Sequence, residues 1–195
     1  MQPTLKDESK LSLYPRGIAV KPDPDHLDIT ATVAITDCHH HRVAIVRLNT
    51  PRPGEDRVEC LFGREGTREG SFSTPAGVAF GLDGSIIVAD QHNHRCQIFN
   101  ADGSLLRSIG SKGLRNGCFD CPLSVTVSEH GNIFVQDRSS VQMLRANGSF
   151  VAEPVEAEMS AAQLGGIAYN GTSGTLVVCE SCYERHRVHI VSSFV

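Results

Sequence analysis

Tryptophan is absent from this chain, and methionine and tyrosine occur only three times each. Aromatic residues are 6% of the 195 residues, which leaves phenylalanine, at eight copies, as the one frequent large ring. No run approaches the roughly 18 consecutive apolar residues of a membrane-spanning helix. No segment sustains a helical period either, which excludes a helical bundle or solenoid; residues 153–164 have room for a single helical turn. The opening residues, Met1 to Glu8, hold no apolar stretch of the secretory kind, and the expected compartment is cytoplasmic, with no membrane partner. The seven cysteines are odd in number and scattered, so they read as reduced thiols rather than a disulfide framework. Neither sign of charge dominates: the net charge of -4 excludes an indiscriminate nucleic-acid coat while leaving room for a local basic face. Catalytic signatures are also missing, with no Gly-x-Ser-x-Gly elbow, no His-Glu-x-x-His and no phosphate-cradling glycine loop.

What the chain does contain is a repeat. Phe72-Ser-Thr-Pro75-Ala-Gly-Val-Ala-Phe80 recurs as Phe119-Asp-Cys-Pro122-Leu-Ser-Val-Thr-Val127, an offset of 47 residues. Asp83-Gly-Ser-Ile-Ile-Val-Ala-Asp90 recurs at the same offset as His130-Gly-Asn-Ile-Phe-Val-Gln-Asp137. Weaker copies flank the pair, upstream from Tyr14-Pro-Arg-Gly-Ile-Ala-Val20 and downstream from Gly166-Ile-Ala-Tyr169. Each copy strings short β-branched runs between Gly, Asn and Asp, the pattern of strands and tight turns. Asp83-Gly84, Asp102-Gly103 and Asn147-Gly148 predict two-residue type I′ hairpins. Four antiparallel strands per unit, at a period of about 40–50 residues, predict an all-β propeller.

Pro75-Ala-Gly-Val-Ala-Phe80, Asp83 to Asp90 and Asn93-His94-Arg95-Cys-Gln-Ile-Phe99 together resemble an NHL repeat. The connection from Ile109 to Phe119 resembles the linkers between blades of TRIM-NHL proteins. The resemblance implies a leader over 1–13 and a propeller over 14–195, with four-stranded blades near 14–63, 72–110, 119–152 and 164–195. The last of these stops after its third strand. Propellers of this family close with six blades, so the expectation is part of a six-bladed ring. Its open blade edges offer a route to self-association.

Three acid–base pairs recur at the loop after the second strand: Asp37 with Arg42, Asp90 with Arg95, and Glu180 with Arg187. A position repeated in blade after blade reads as framework, in which carboxylate and guanidinium tie neighbouring loops together. The residues between the pairs vary in number and kind, and variation on one face of a repeat array is where specificity resides. That face collects His39, His40, His41, His92, Arg138, Tyr183, Arg185 and His186, and the linkers add Arg64, Arg68, Lys112 and Arg115. Lys and Arg neutralise phosphates, while His and Tyr rings stack on unpaired bases. Glu65, Glu69 and Glu184 dilute the positive field.

Three consecutive histidines cannot all point at one ion from an extended loop. Cys118-x-x-Cys121 and Cys179-x-x-Cys182 fall in different blades, without a shared knuckle. No metal and no cofactor is expected on these grounds. The reading is a non-catalytic module that binds RNA or a protein partner, as TRIM-NHL proteins do, either recruiting substrates for a ubiquitin ligase or regulating transcripts. The alternative is a metal-dependent propeller enzyme of the lyase or lactonase kind. Far-ultraviolet circular dichroism should report a strand spectrum with helix below about a fifth of the chain; a larger helical signal contradicts the propeller.

Overall fold

The computed structural model describes residues 13–22, 30–49, 56–138, 140–156, 163–181 and 186–192, with residues 22, 49, 155, 156, 163, 164, 180, 181 and 186 described by their backbone alone. Blade one is β1 (Pro15–Pro22), β2 (Thr30–Asp37), β3 (Arg42–Asn49) and β4 (Arg57–Phe62). Blade two is β5 (Pro75–Phe80), β6 (Ile86–Asp90), β7 (Arg95–Phe99) and β8 (Leu105–Ile109), with a 3-10 turn at Gln91–Asn93. Blade three is β9 (Ser124–Val127), β10 (Ile133–Gln136), β11 (Ser140–Leu144) and β12 (Phe150–Glu156). Blade four is β13 (Gln163–Asn170), β14 (Thr175–Ser181) and β15 (His186–Ser192). Each blade is an antiparallel meander in sequence order, four-stranded in the first three and three-stranded among the described residues of the last. The helical turn with room at 153–164 gives way to β12 as far as Glu156; residues 157–162 lie outside those described.

The first strands of successive blades lie side by side, β1 against β5, β5 against β9 and β9 against β13, so they line the axis of an all-β propeller. Blades stack face to face, and this explains the sequence. In β6, Ile86 and Val88 pack with Ala34, Val43 and Ile45 of blade one, whereas Ile87 and Ala89 pack with Val125, Ile133 and Val135 of blade three. A strand covered on both faces reads as an unbroken apolar run, as Ile-Ile-Val-Ala does. Phe134, Val141 and Met143 in turn meet Leu176 and Val178 of blade four. Among the described residues the outermost faces have no such cover: Ile18 and Val20 on β1, and Val188 and Ile190 on β15, are exposed.

Two kinds of glycine hold this geometry. A Cβ at Gly17 would fall 2.3 Å from the Ala76 carbonyl, and one at Gly77 would fall 2.7 Å from Ser124 Cα. Neighbouring inner strands therefore approach closer than any side chain permits. At the hairpins, Gly84, Gly103 and Gly148 have φ of 81°, 83° and 90°, while Asp83, Asp102 and Asn147 before them stay out of the left-handed region. The expected two-residue type I′ turns are thus replaced by three-residue loops, 82–84, 101–103 and 146–148, each closed by one left-handed glycine. The reason lies in the Asx side chains: Asp83 Oδ1, Asp102 Oδ1 and Asn147 Oδ1 each accept the backbone N–H two residues on, at 2.9 Å. That bond favours the right-handed conformation for the acidic or amide residue.

Gln136 stands apart. It is fully buried at the end of β10, and neither its amide nitrogen nor its oxygen has a hydrogen-bond partner. An orphaned buried amide costs about 1–3 kcal/mol. Gln136→Met keeps the shape and removes the orphan, so it should raise the urea midpoint, by up to about 1 kcal/mol in stability after packing losses; a lowered midpoint would show the amide to be satisfied in solution.

Candidate functional site

The loops after the second strands and the linkers between blades gather at one end of the array, built on a buried carboxylate. Asp90, wholly inaccessible, accepts from the Ser73 N–H at 2.7 Å, Asn93 Nδ2 at 2.8 Å, Arg95 Nε at 2.9 Å and Gln97 Nε2 at 3.1 Å. Asp37, equally buried, accepts from the Tyr14 N–H at 3.1 Å and Arg42 Nε at 3.0 Å, with His40 Nδ1 at 2.8 Å. In blade three, where Ser140 replaces the arginine, Asp137 takes the backbone N–H groups of Asp120 and Ser140, both at 2.9 Å. Glu180 and Arg187 are direct register partners, as Asp37/Arg42 and Asp90/Arg95 are, and the Glu180 side chain lies outside those described.

The arginine and a glutamine then hold the linker. Arg95 Nη2 donates to the Arg68 and Ser71 carbonyls at 2.8 and 3.0 Å. Gln97 Oε1 accepts from the Gly70 N–H at 2.8 Å, and Gln142 Oε1 accepts from the Gly117 N–H at 2.7 Å. With the linker backbones pinned from below, Arg64, Arg68, Lys112 and Arg115 extend into solvent, and so do His39, His40, His92 and Arg138 on the loops. Tyr14 joins His39 and His40 in a ring cluster, with centroids 4.7 and 5.8 Å away. Leu114, 80% exposed, stands between Lys112 and Arg115. Glu65 and Glu69 are exposed on the same linker. Tyr183 and Arg185 lie outside the described residues, and His186 is described only as the first position of β15.

His41, grouped with the ligand-facing residues from sequence, is half-buried and engaged. With φ of 53°, it turns its ring across to blade two, where Nδ1 accepts the Thr74 N–H at 3.1 Å. His94 repeats this at the next junction, with φ of 54° and the Cys121 N–H at 3.1 Å. These histidines latch consecutive blades. Sequence reasoning passed over His94, although it precedes Arg95 as His41 precedes Arg42. It also passed over Tyr14 and Leu114, each of which sits beside residues it did select. His94, Asp120 and Cys121 form a group able to hold a metal ion, with ligand atoms within 4.8 Å of one another.

Sheets stacked round an axis, with varied loops and cationic linkers collected at one end, define a β-propeller with a candidate binding face. Residues 72–99, which run through β5, β6 and β7 of blade two, match the family model described as NHL repeat. Over 44 residues the chain is 52% identical to Protein brain tumor of Drosophila melanogaster and 50% identical to the B-box type zinc finger protein ncl-1 of Caenorhabditis elegans. Each match covers 23% of this chain and 4% or 5% of the relative. Among solved structures, a gluconolactonase from Xanthomonas campestris is similar at a TM-score of 0.63 and 15% identity, covering 93% of this chain and 59% of that one. A chain of the nidogen/laminin complex gives 0.59 at 16% identity, covering 89% and 64%. Virginiamycin B lyase from Staphylococcus aureus gives 0.56 at 14% identity, covering 93% and 56%. At such identities these structures share the fold with this chain, and the chain spans about three fifths of their length.

Asp37 makes the face sensitive to acid. Burial alone would raise the Asp37 carboxyl, but the Tyr14 N–H, Arg42 and His40 outweigh it and hold the group below its ordinary value. The unfolded chain, near pKa 3.9, binds this proton first. The resulting stability is complete above pH of about 4 and is lost as pH falls through the native value. Urea midpoints measured between pH 5 and pH 3 should therefore fall for the native chain and fall less for Asp37→Asn, which is weaker throughout; equal acid slopes would remove Asp37 from the account.

Proposed function

We propose that the chain is a non-catalytic recognition module whose loop face binds unpaired RNA. The observation that carries this reading is the arrangement of Arg64, Arg68, Lys112, Arg115 and Arg138, exposed at the same end of the propeller as the Tyr14, His39 and His40 rings. Guanidinium and ammonium groups neutralise phosphates, and flat rings stack on bases whatever their identity. The linker cations sit on backbones pinned by Arg95, Gln97 and Gln142, so little order has to be imposed when a strand docks. Tyr183, Arg185 and His186 extend the same face on blade four in this proposal. The similarity to Protein brain tumor and to ncl-1 supports a recognition role and fits a cytoplasmic protein that acts beside a ubiquitin-ligase or transcript-regulating region.

A protein partner is the second reading, favoured by Leu114, an exposed apolar side chain among mixed charges that include Glu65 and Glu69. Titration with single-stranded and duplex RNA at two salt concentrations separates the readings. The expected result is preference for the single strand, with affinity falling as salt rises by a log–log slope of about 0.7 per phosphate neutralised. Arg64→Ala with Lys112→Ala should weaken binding at least about tenfold, or roughly 1.4 kcal/mol. Tyr183→Ala with Arg185→Ala and His186→Ala should do the same. Arg145→Ala, in the β11–β12 turn at the opposite end, should leave affinity unchanged. Salt-independent binding, or a loss confined to Arg145→Ala, would overturn the assignment of the face.

A further inference from the structure

Blades two and three meet at the loop face through one group of side chains that the recognition surface does not use. His94 belongs to the loop between β6 and β7; Asp120 and Cys121 belong to the segment entering β9. A ring nitrogen of His94, a carboxylate oxygen of Asp120 and the Cys121 thiol lie within 4.8 Å of one another. His94 Nδ1 is 3.6 Å from Asp120 Oδ1 and accepts the Cys121 N–H at 3.1 Å. Cys121 is buried, while the His94 and Asp120 side chains are 17% and 35% exposed, so the cluster is closed towards the core and open towards solvent.

The junction between blades one and two supplies the comparison. There His41 accepts the Thr74 N–H at the same 3.1 Å, and Thr74 has φ of 56° against 54° for Cys121. The residues at that latch are Ser73 and Thr74, in the places of Asp120 and Cys121. The latch therefore works with a hydroxyl pair, and the left-handed position accepts threonine. Neither the backbone nor the hydrogen bond demands a carboxylate and a thiol at the second junction. Thiolate, imidazole and carboxylate are together the donor set of a borderline-soft divalent ion, and three protein ligands leave one position for water.

We propose that His94, Asp120 and Cys121 bind a divalent transition-metal ion of the zinc type across the junction of blades two and three. On binding, the Cys121 thiol releases its proton to solvent and its sulfur takes up the metal. The Nδ1 lone pair turns from the Cys121 N–H to the ion, so a hydrogen-bonded latch is exchanged for a coordinated one between the same two residues. Arg138 and Lys112 act electrostatically on the cluster and repel an incoming ion, and the charges of the two anionic ligands offset them. Because the thiol gives up its proton to the solvent, metal uptake is proton-linked and weakens as pH falls.

The test titrates cobalt(II) into the reduced full chain and follows sulfur-to-cobalt charge-transfer absorption. The variants are Cys118→Ser, whose thiol lies 3.4 Å from Ser111 Oγ and outside the cluster, and the double change Asp120→Ser with Cys121→Thr, which copies the first junction. The native chain and Cys118→Ser should bind one equivalent with the charge-transfer band, and zinc should displace the cobalt. The double variant should lose the band and bind at least about tenfold more weakly. Zinc should raise the melting temperature of the native chain and not that of the double variant, whose metal-free melting shows that the latch survives. No band in the native chain, or a band kept by the double variant, overturns the proposal.

Discussion

A carboxylate buried at the end of the second strand in each of the first three blades is the interaction on which the loop face depends. Asp37, Asp90 and Asp137 each reach across to a backbone N–H of the segment that enters their own blade, and each closes its own loop with a second donor. A charge with no access to water is tolerated only when its lone pairs are filled, and a carboxylate offers about four sites. Asp90 fills its sites with one backbone amide, one guanidinium and two side-chain amides. Those four donors come from the entering segment, the loop and β7, so one group fixes three pieces of chain at once. Everything carried above, including the linker cations, inherits its position from that anchor.

The architecture was legible in the sequence because it is periodic. The 47-residue offset, the apolar runs of the middle blades and the acid–base pairs of three blades each report a constraint that returns from blade to blade. The turns were legible only in part. Asp-Gly marks a hairpin but leaves the turn type open, and the Asp83 side chain settles it by accepting the Ser85 N–H. The junction chemistry was not legible at all. His41 and His94 look like loop histidines until the following blade supplies a backbone N–H, and Asp120 meets His94 only because blades stack. Gln136 reads as one more polar residue in a strand, and its isolation becomes visible only inside a packed sheet.

The three junctions solve one packing problem with different chemistry. The first uses a histidine latch with a hydroxyl pair, and the second uses the same latch with a carboxylate and a thiol. Blade three has no histidine in its loop. Its junction with blade four rests on Phe134 stacked against Tyr169 at 5.5 Å and, at the end away from the loops, on the Tyr169 hydroxyl donating to Glu129. Burial, reinforced by that carboxylate, pushes the Tyr169 hydroxyl up to about 12, so the bond persists across the neutral range. Apolar stacking thus supplies the bulk of each seam, and the polar residues decide how it can be opened or reinforced.

The glycines on the inner strands carry a consequence for curvature. Blades behave as wedges, and the angle of each wedge follows from how near its thin edges come relative to its broad ones. Gly17 and Gly77 let the backbones of β1, β5 and β9 almost touch at the axis, while β4, β8 and β12 at the periphery stand apart. Alanine at position 77 would push the thin edges apart, flatten the arc and enlarge the circle on which the blades sit. A single missing methyl group at two positions therefore sets how tightly this ribbon of sheets bends, and with it how many blades a full turn can hold.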